Sequence, residues 1–186
     1  MAEQDRKTNR RTDGRAQRYK RQRALGWVVT ATIAALALAF VFLVWLTPMA
    51  VTGDSMSPAL NDGEVVLADR LGKYWKRPTR GDMVVFSTPD GVFIKRIVGL
   101  PGEIVDISNG AVFINSRPLE ESAYAINPVG DMAPVVVPDN AVFVLGDNRQ
   151  KIYDSRLESV GCIPFEQIQG VMRMRIAPLS RFTIFF

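Results

Sequence analysis

The sequence predicts a mostly β body behind a single apolar helix, and three observations carry that expectation. An uncharged block of 23 residues runs from Leu25 to Thr47. Beyond it the apolar runs are short and rich in valine, isoleucine and phenylalanine, as strands are. Turn signals such as Pro89-Asp90-Gly91 and Asn109-Gly110 separate those runs. With 186 residues, 47% hydrophobic and 23% charged, the chain has room for one ordinary domain and an appendage.

Residues 1–24 form the first element, a basic tail with nine Lys and Arg against three Asp and Glu. Its net charge is +6, while the other 162 residues hold 14 basic and 16 acidic groups, so the excess of the whole chain lies in the tail. A basic tail suits nucleic acid. The segment that follows favours a membrane instead, and no nucleic acid is expected as a partner. Residues 25–47 are long enough to cross the hydrocarbon core, which takes about 20 residues. Apolar residues lie all round the predicted helix, and Trp27 and Trp45 stand near its ends, where amphipathic rings favour headgroups. A cleaved signal peptide has a shorter apolar stretch, and a buried core helix is rarely so long without a charge. The expected organisation is a cytoplasmic tail at 1–24, a transmembrane helix at 25–47 and an extracytoplasmic domain at 48–186. The positive-inside rule sets that orientation in a cell membrane.

Within the domain, strands are expected at 64–68, 83–87, 92–98, 104–107, 111–114, 135–137, 141–145 and 170–176. Asn109-Gly110 predicts a hairpin, since both residues tolerate positive φ. Met172, Met174 and Ile176 alternate with Arg173, Arg175 and Ala177, as on a half-buried strand. A short helical turn is expected over 57–60, with Pro58 in its first turn and Asn61-Asp62-Gly63 ending it. Tyr74 and Trp75 among Lys73, Lys76 and Arg77 suit either a membrane interface or an ordinary surface loop.

The sequence contains no histidine and one cysteine, Cys162. These counts rule out an intramolecular disulfide, a cysteine/histidine zinc cluster and every histidine-based triad. A hydrolase built from this chain needs another base. A lysine serves only when neutral, and burial among apolar groups lowers its pKa. Lys95 shares a strand face with Phe93 and Ile97, which fits a desolvated base and equally a lysine guarding a sheet edge. Ser55 opens a turn in Gly53-Asp54-Ser55-Met56-Ser57-Pro58, as a nucleophile or as an N-cap.

Four segments in order resemble the bacterial type I signal peptidases, the leader peptidases that work with a Ser-Lys dyad. They are Gly53–Pro58, Arg80–Phe86, Lys95–Glu103, and Gly146–Arg149 followed by Asp154-Ser155-Arg156. The resemblance spans Gly53 to about Arg181. It implies a signal-peptidase-like domain of antiparallel sheets. Ser55 is then the nucleophile and Lys95 the general base. The Ser55 backbone N–H belongs to the oxyanion hole, with the part of Gly53 left open because some members carry a serine there. Val51, Met56, Leu60, Val85 and Ile94 match the walls of small-residue pockets. Arg96, Asp147, Asp154 and Arg156 match a supporting polar network.

The implied activity is a serine endopeptidase that removes signal peptides after an Ala-X-Ala type ending, with no cofactor and no metal. The implied partners are preproteins, the bilayer and the secretion channel. Ile152 departs from the pattern, because many members have a serine there that orients the lysine. Other readings are a specialised export, pilus or conjugation peptidase of the same family, a self-cleaving SOS repressor relative, and a catalytically silent β-domain at the secretion machinery.

Overall fold

The computed structural model describes residues 25–40, 45–72 and 77–185. They fall into two compact units, one ending at Val44 and the other running from Trp45. In the first unit residues 25–40 are helical, and apolar side chains such as Trp27, Ile33, Leu36 and Phe40 are exposed. Thr30 and Thr32 hydroxyls donate to the carbonyls of Gly26 and Val28, at 3.0 and 2.9 Å, so each polar side chain finds its partner within the helix, on a carbonyl one turn back.

The expected transmembrane helix over 25–47 is not found in that form. Among the described residues no helix is long and apolar enough to cross a membrane, and residues 41–44 lie outside the description. At the far end the correction is physical. Leu46 and Thr47 belong to strand β1 (Leu46–Ala50), where they pair with Asp69 and Ala68. The indole N–H of Trp45 donates to the Asp69 carboxylate at 2.7 Å, which ties the start of β1 to the end of β2.

The second unit is β throughout. After β1 come β2 (Val65–Asp69), β3 (Met83–Thr88), β4 (Gly91–Gly99), β5 (Ile104–Ser108), β6 (Ala111–Ile114), β7 (Arg117–Pro118), β8 (Met132–Val136), β9 (Ala141–Leu145), β10 (Ile163–Pro164), β11 (Ile168–Ala177) and β12 (Thr183–Ile184). All the pairings between named strands are antiparallel. The larger sheet runs β1-β2-β11-β3-β4-β9-β10, with β12 also on β11, and the smaller runs β7-β6-β5-β8. All eight expected strands are present, with ends shifted by a few residues at most.

Strands β3 and β9 read as unbroken apolar runs because both of their faces are buried. Val84 and Phe86 join Val142 and Val144 in one core, while Met83 and Val85 join Val51, Met56 and Leu60 in another. Phe143 and Leu145 turn to a third core against β5 and β6. The β5–β6 hairpin turns at Asn109 and Gly110, both at positive φ, as the sequence requires.

Two local expectations fail. Residues 57–60 form a hydrogen-bonded turn rather than a helix: Leu60 N–H reaches Met56 O at 2.8 Å, and the Ser57–Pro58 peptide is cis. The alternation on β11 breaks as well, because its register against β2 shifts between Met172 and Met174 and again between Arg175 and Ala177. A bulge reverses which side chains face inward. Arg175 is therefore buried, with its guanidinium on Glu64 at 3.1 Å and on the carbonyls of Ala59 and Arg181.

Candidate active site

Ser55 and Lys95 lie 40 positions apart in sequence, and the fold brings them into contact. Lys95 Nζ donates to Ser55 Oγ at 2.7 Å. Lys95 pairs with Val84 on β3, and β9 covers the other side of β4 only from Arg96 onward. The lysine therefore sits where an open strand edge ends, yet it is 1% exposed, too deep to guard that edge against solvent. Burial pushes its pKa from 10.5 down to about 8. Desolvation is the largest cause. The Asp154 carboxylate opposes it, the Arg156 guanidinium adds to it, and Asp147 opposes it more weakly.

The serine is held from below by the segment 146–148. Asn148 N–H donates to Ser55 O at 3.1 Å, and its side-chain amide reaches Asp54 O at 3.4 Å. Gly146 passes so close that a Cβ there would stand 2.6 Å from Ser55 O. Gly53 sits at φ +85°, and its N–H is taken by the Asp62 carboxylate at 2.7 Å. It offers neither a side chain nor a spare N–H beside the hydroxyl.

Two buried ion pairs back this arrangement. Arg96 grips Asp147 with two bonds of 2.8 and 2.6 Å, and Arg156 grips Asp154 with two of 2.8 Å. Both carboxylates are fully buried. Asp154 also accepts from Gly146 N–H at 3.2 Å, so the second pair is tied to the glycine under the nucleophile. Burial raises the Asp147 carboxyl, and the Arg96 bonds pull it back.

The motif-bearing part of the chain matches the model of one family, described as signal peptidase, peptidase S26, over residues 24–177. The chain belongs to that family. Signal peptidase I S of Bacillus subtilis is 35% identical, covering 87% of this chain and 93% of that protein. Probable signal peptidase I-2 of Synechocystis is 36% identical, covering 83% of this chain and 72% of that protein. A solved signal peptidase I from Enterococcus faecalis V583 is 29% identical with a TM-score of 0.44, over 52% of this chain and 97% of that one.

A cleft opens beside the serine. It measures roughly 360 Å³ and lies between Met49–Met56 on one wall and Asp90–Ile94 on the other. Val51, Met56 and Ile94 from the expected pocket line it with Ser55. Leu60 and Val85 are not among its lining residues: both are buried in one core with Met56, and Val85 lines a second, smaller cavity that also touches Met49. Ile152, at the position where many members carry the lysine-orienting serine, is 59% exposed, while Lys95 is almost fully covered. Tyr74 and Trp75 lie outside the described residues.

Sequence reasoning missed a clamp on the 146–149 loop. Glu121 holds Arg149 with both oxygens, one at 2.7 Å, and Tyr124 donates to Glu121 at 3.1 Å. The Arg96 guanidinium lies over the Tyr124 ring at 4.3 Å. Ile126 and Asn148 form a bridge that fastens the two segments together. Glu121 and Tyr124 stand in a stretch without periodicity, where no local signal marks them. Gly146 and Asn148 were inside a quoted motif, but their role needs the third dimension.

Proposed function

We propose that this chain is a serine endopeptidase that removes N-terminal signal peptides from exported preproteins after a small residue, with Ser55 as nucleophile and Lys95 as base. The observation that carries the reading is the 2.7 Å contact between a buried lysine amine and a serine hydroxyl at the mouth of a cleft. Family membership supports the substrate class.

The chemistry follows from the placement. A neutral Lys95 accepts the Ser55 proton as Oγ attacks the peptide carbonyl. The negative oxygen that forms is met by the Ser55 N–H. The lysine then hands its proton to the leaving amine, and the mature protein departs with a new N-terminus. A water deprotonated by Lys95 releases the acyl group. Arg96, Asp147, Asp154 and Arg156 hold the loop and the amine in place.

The cleft suits an extended peptide. The strand order β1-β2-β11-β3-β4 leads from one wall of the cleft round to the other. Over Gly91–Lys95, β4 pairs with β3 alone, so its outer N–H and C=O groups face the gap. A substrate segment laid there adds a strand and places its carbonyl at Ser55. Val51, Met56 and Ile94 crowd the space beside the serine, which favours small side chains near the cut.

Membrane attachment is part of the proposal, with residues 1–24 on the cytoplasmic side and the β body outside. It rests on the +6 tail ahead of an uncharged stretch of 23 residues. The deciding experiment incubates detergent-solubilised protein with a preprotein and sequences the new N-terminus. One cut after a small residue, lost in Ser55→Ala and in Lys95→Ala, is expected. Full cleavage by either variant overturns the dyad.

A further inference from the structure

At the end of the cleft away from Ser55, the lining holds a single charged side chain among the described residues, Asp90. It stands in the turn between β3 and β4, and it is not left to wave in solvent. Tyr153 Oη donates to Asp90 Oδ2 at 2.6 Å. The Thr88 hydroxyl lies 3.1 Å from the same phenol, and Asp90 N–H donates to Thr88 Oγ1 at 3.2 Å. With the phenol proton committed to Asp90, Thr88 is the donor to Tyr153, which closes a ring of hydrogen bonds around the turn.

The Tyr153 ring stacks on Phe93 with centroids 4.1 Å apart, and Phe93 itself lines the cleft. The contact spans two elements: the segment carrying Asp154 is pinned to the hairpin that forms one wall. An exposed carboxylate with one oxygen fixed and the other, Oδ1, still open to accept is preorganised for a cationic group.

We propose that Asp90, held by Tyr153, is a specificity-determining subsite that favours a lysine or arginine of the substrate several residues from the scissile bond. This rests on the peptidase reading above and adds to it a preference beyond the small residues at the cut. The spacing follows from the strand. Asp90 precedes Lys95 by five positions, which at about 3.3 Å per residue is about 17 Å, so the substrate residue that meets it lies four to six positions from the cut.

The test uses the full-length protein in detergent and a preprotein series with Lys, Gln or Glu placed at the fourth, fifth or sixth residue on either side of the cut. The unaltered enzyme should prefer Lys over Glu at one of these positions by roughly threefold to fivefold in kcat/KM, the range of one partly exposed charge pair. That preference should fade at high salt, disappear in Asp90→Asn, invert in Asp90→Lys and weaken in Tyr153→Phe. Cleavage of every substrate at one rate whatever the charge, or an unchanged preference in Asp90→Lys, overturns the subsite and leaves the peptidase reading standing. Failure of the unaltered enzyme to cut any member of the series sinks both.

Discussion

Burying the Lys95 amine makes the folded protein hold its proton less tightly than the unfolded chain does. With the pKa lowered from 10.5 to about 8, the unfolded state binds more protons throughout that interval, so stability rises with pH across it. Below about 8 the full penalty stands, on the order of 3 kcal/mol; above the unfolded value it is gone. Lys95→Met fills the same space without a charge and should stabilise the protein by about 1 to 3 kcal/mol at pH 7, less the bond lost to Ser55. Urea unfolding at pH 7 and at pH above 10 checks this, and a loss of stability at pH 7 would contradict it. In the unaltered enzyme the acid limb of kcat/KM should rise with pH through about 8. A flat profile from pH 6 to 9 would show that Lys95 is not the base. The face that Lys95 occupies was legible from the two-residue period of β4. Its depth was not, because the cover comes from distant segments that no local pattern announces.

Among the elements, the loop 146–149 shows how narrowly the nucleophile is placed. Gly146 needs no left-handed conformation; it is required because Ser55 O occupies the space of a side chain. Gly146→Ala should push the Ser55 turn away by a fraction of an ångström or more and cut kcat by about a hundredfold, with KM moved little. Steady-state kinetics checks it, with circular dichroism to establish that the β fold persists. Wild-type kcat would show that the turn yields without consequence. Apart from β1, strands of four residues and more were readable from apolar runs and turn residues. The two-residue strands β7, β10 and β12 are too short to carry a pattern. β1 was hidden because Leu46 and Thr47 continue an apolar run in the sequence while their backbone partners lie in β2. Arg175 was misplaced for a different reason: a bulge depends on pairing, and Glu64, its partner, is 111 positions away.

At the scale of the molecule, charge is segregated between the +6 tail and a body that is slightly acidic. A body near neutrality has little electrostatic pull toward either face of a membrane, so under the proposed attachment the tail is what would set the orientation. Protease added to intact cells, or to spheroplasts where an outer membrane exists, should digest residues 48–186. Protection of that region would reverse the topology. Reversing the sign of the tail by changing its Lys and Arg to Glu should impair this orientation while leaving the detergent-solubilised enzyme active.

The open edge of β4 also bears on how the proteins this enzyme acts on can change over generations. On the proposed reading, a docking strand that offers backbone groups asks its guest for an extended shape and a few small side chains near the cut, with a graded charge preference farther out. Under the proposed function, exported proteins can then drift through most of the residues around their cleavage sites without any matching change in the enzyme. On that reading a newly acquired gene enters the set of substrates by encoding a short extended stretch that ends in a small residue.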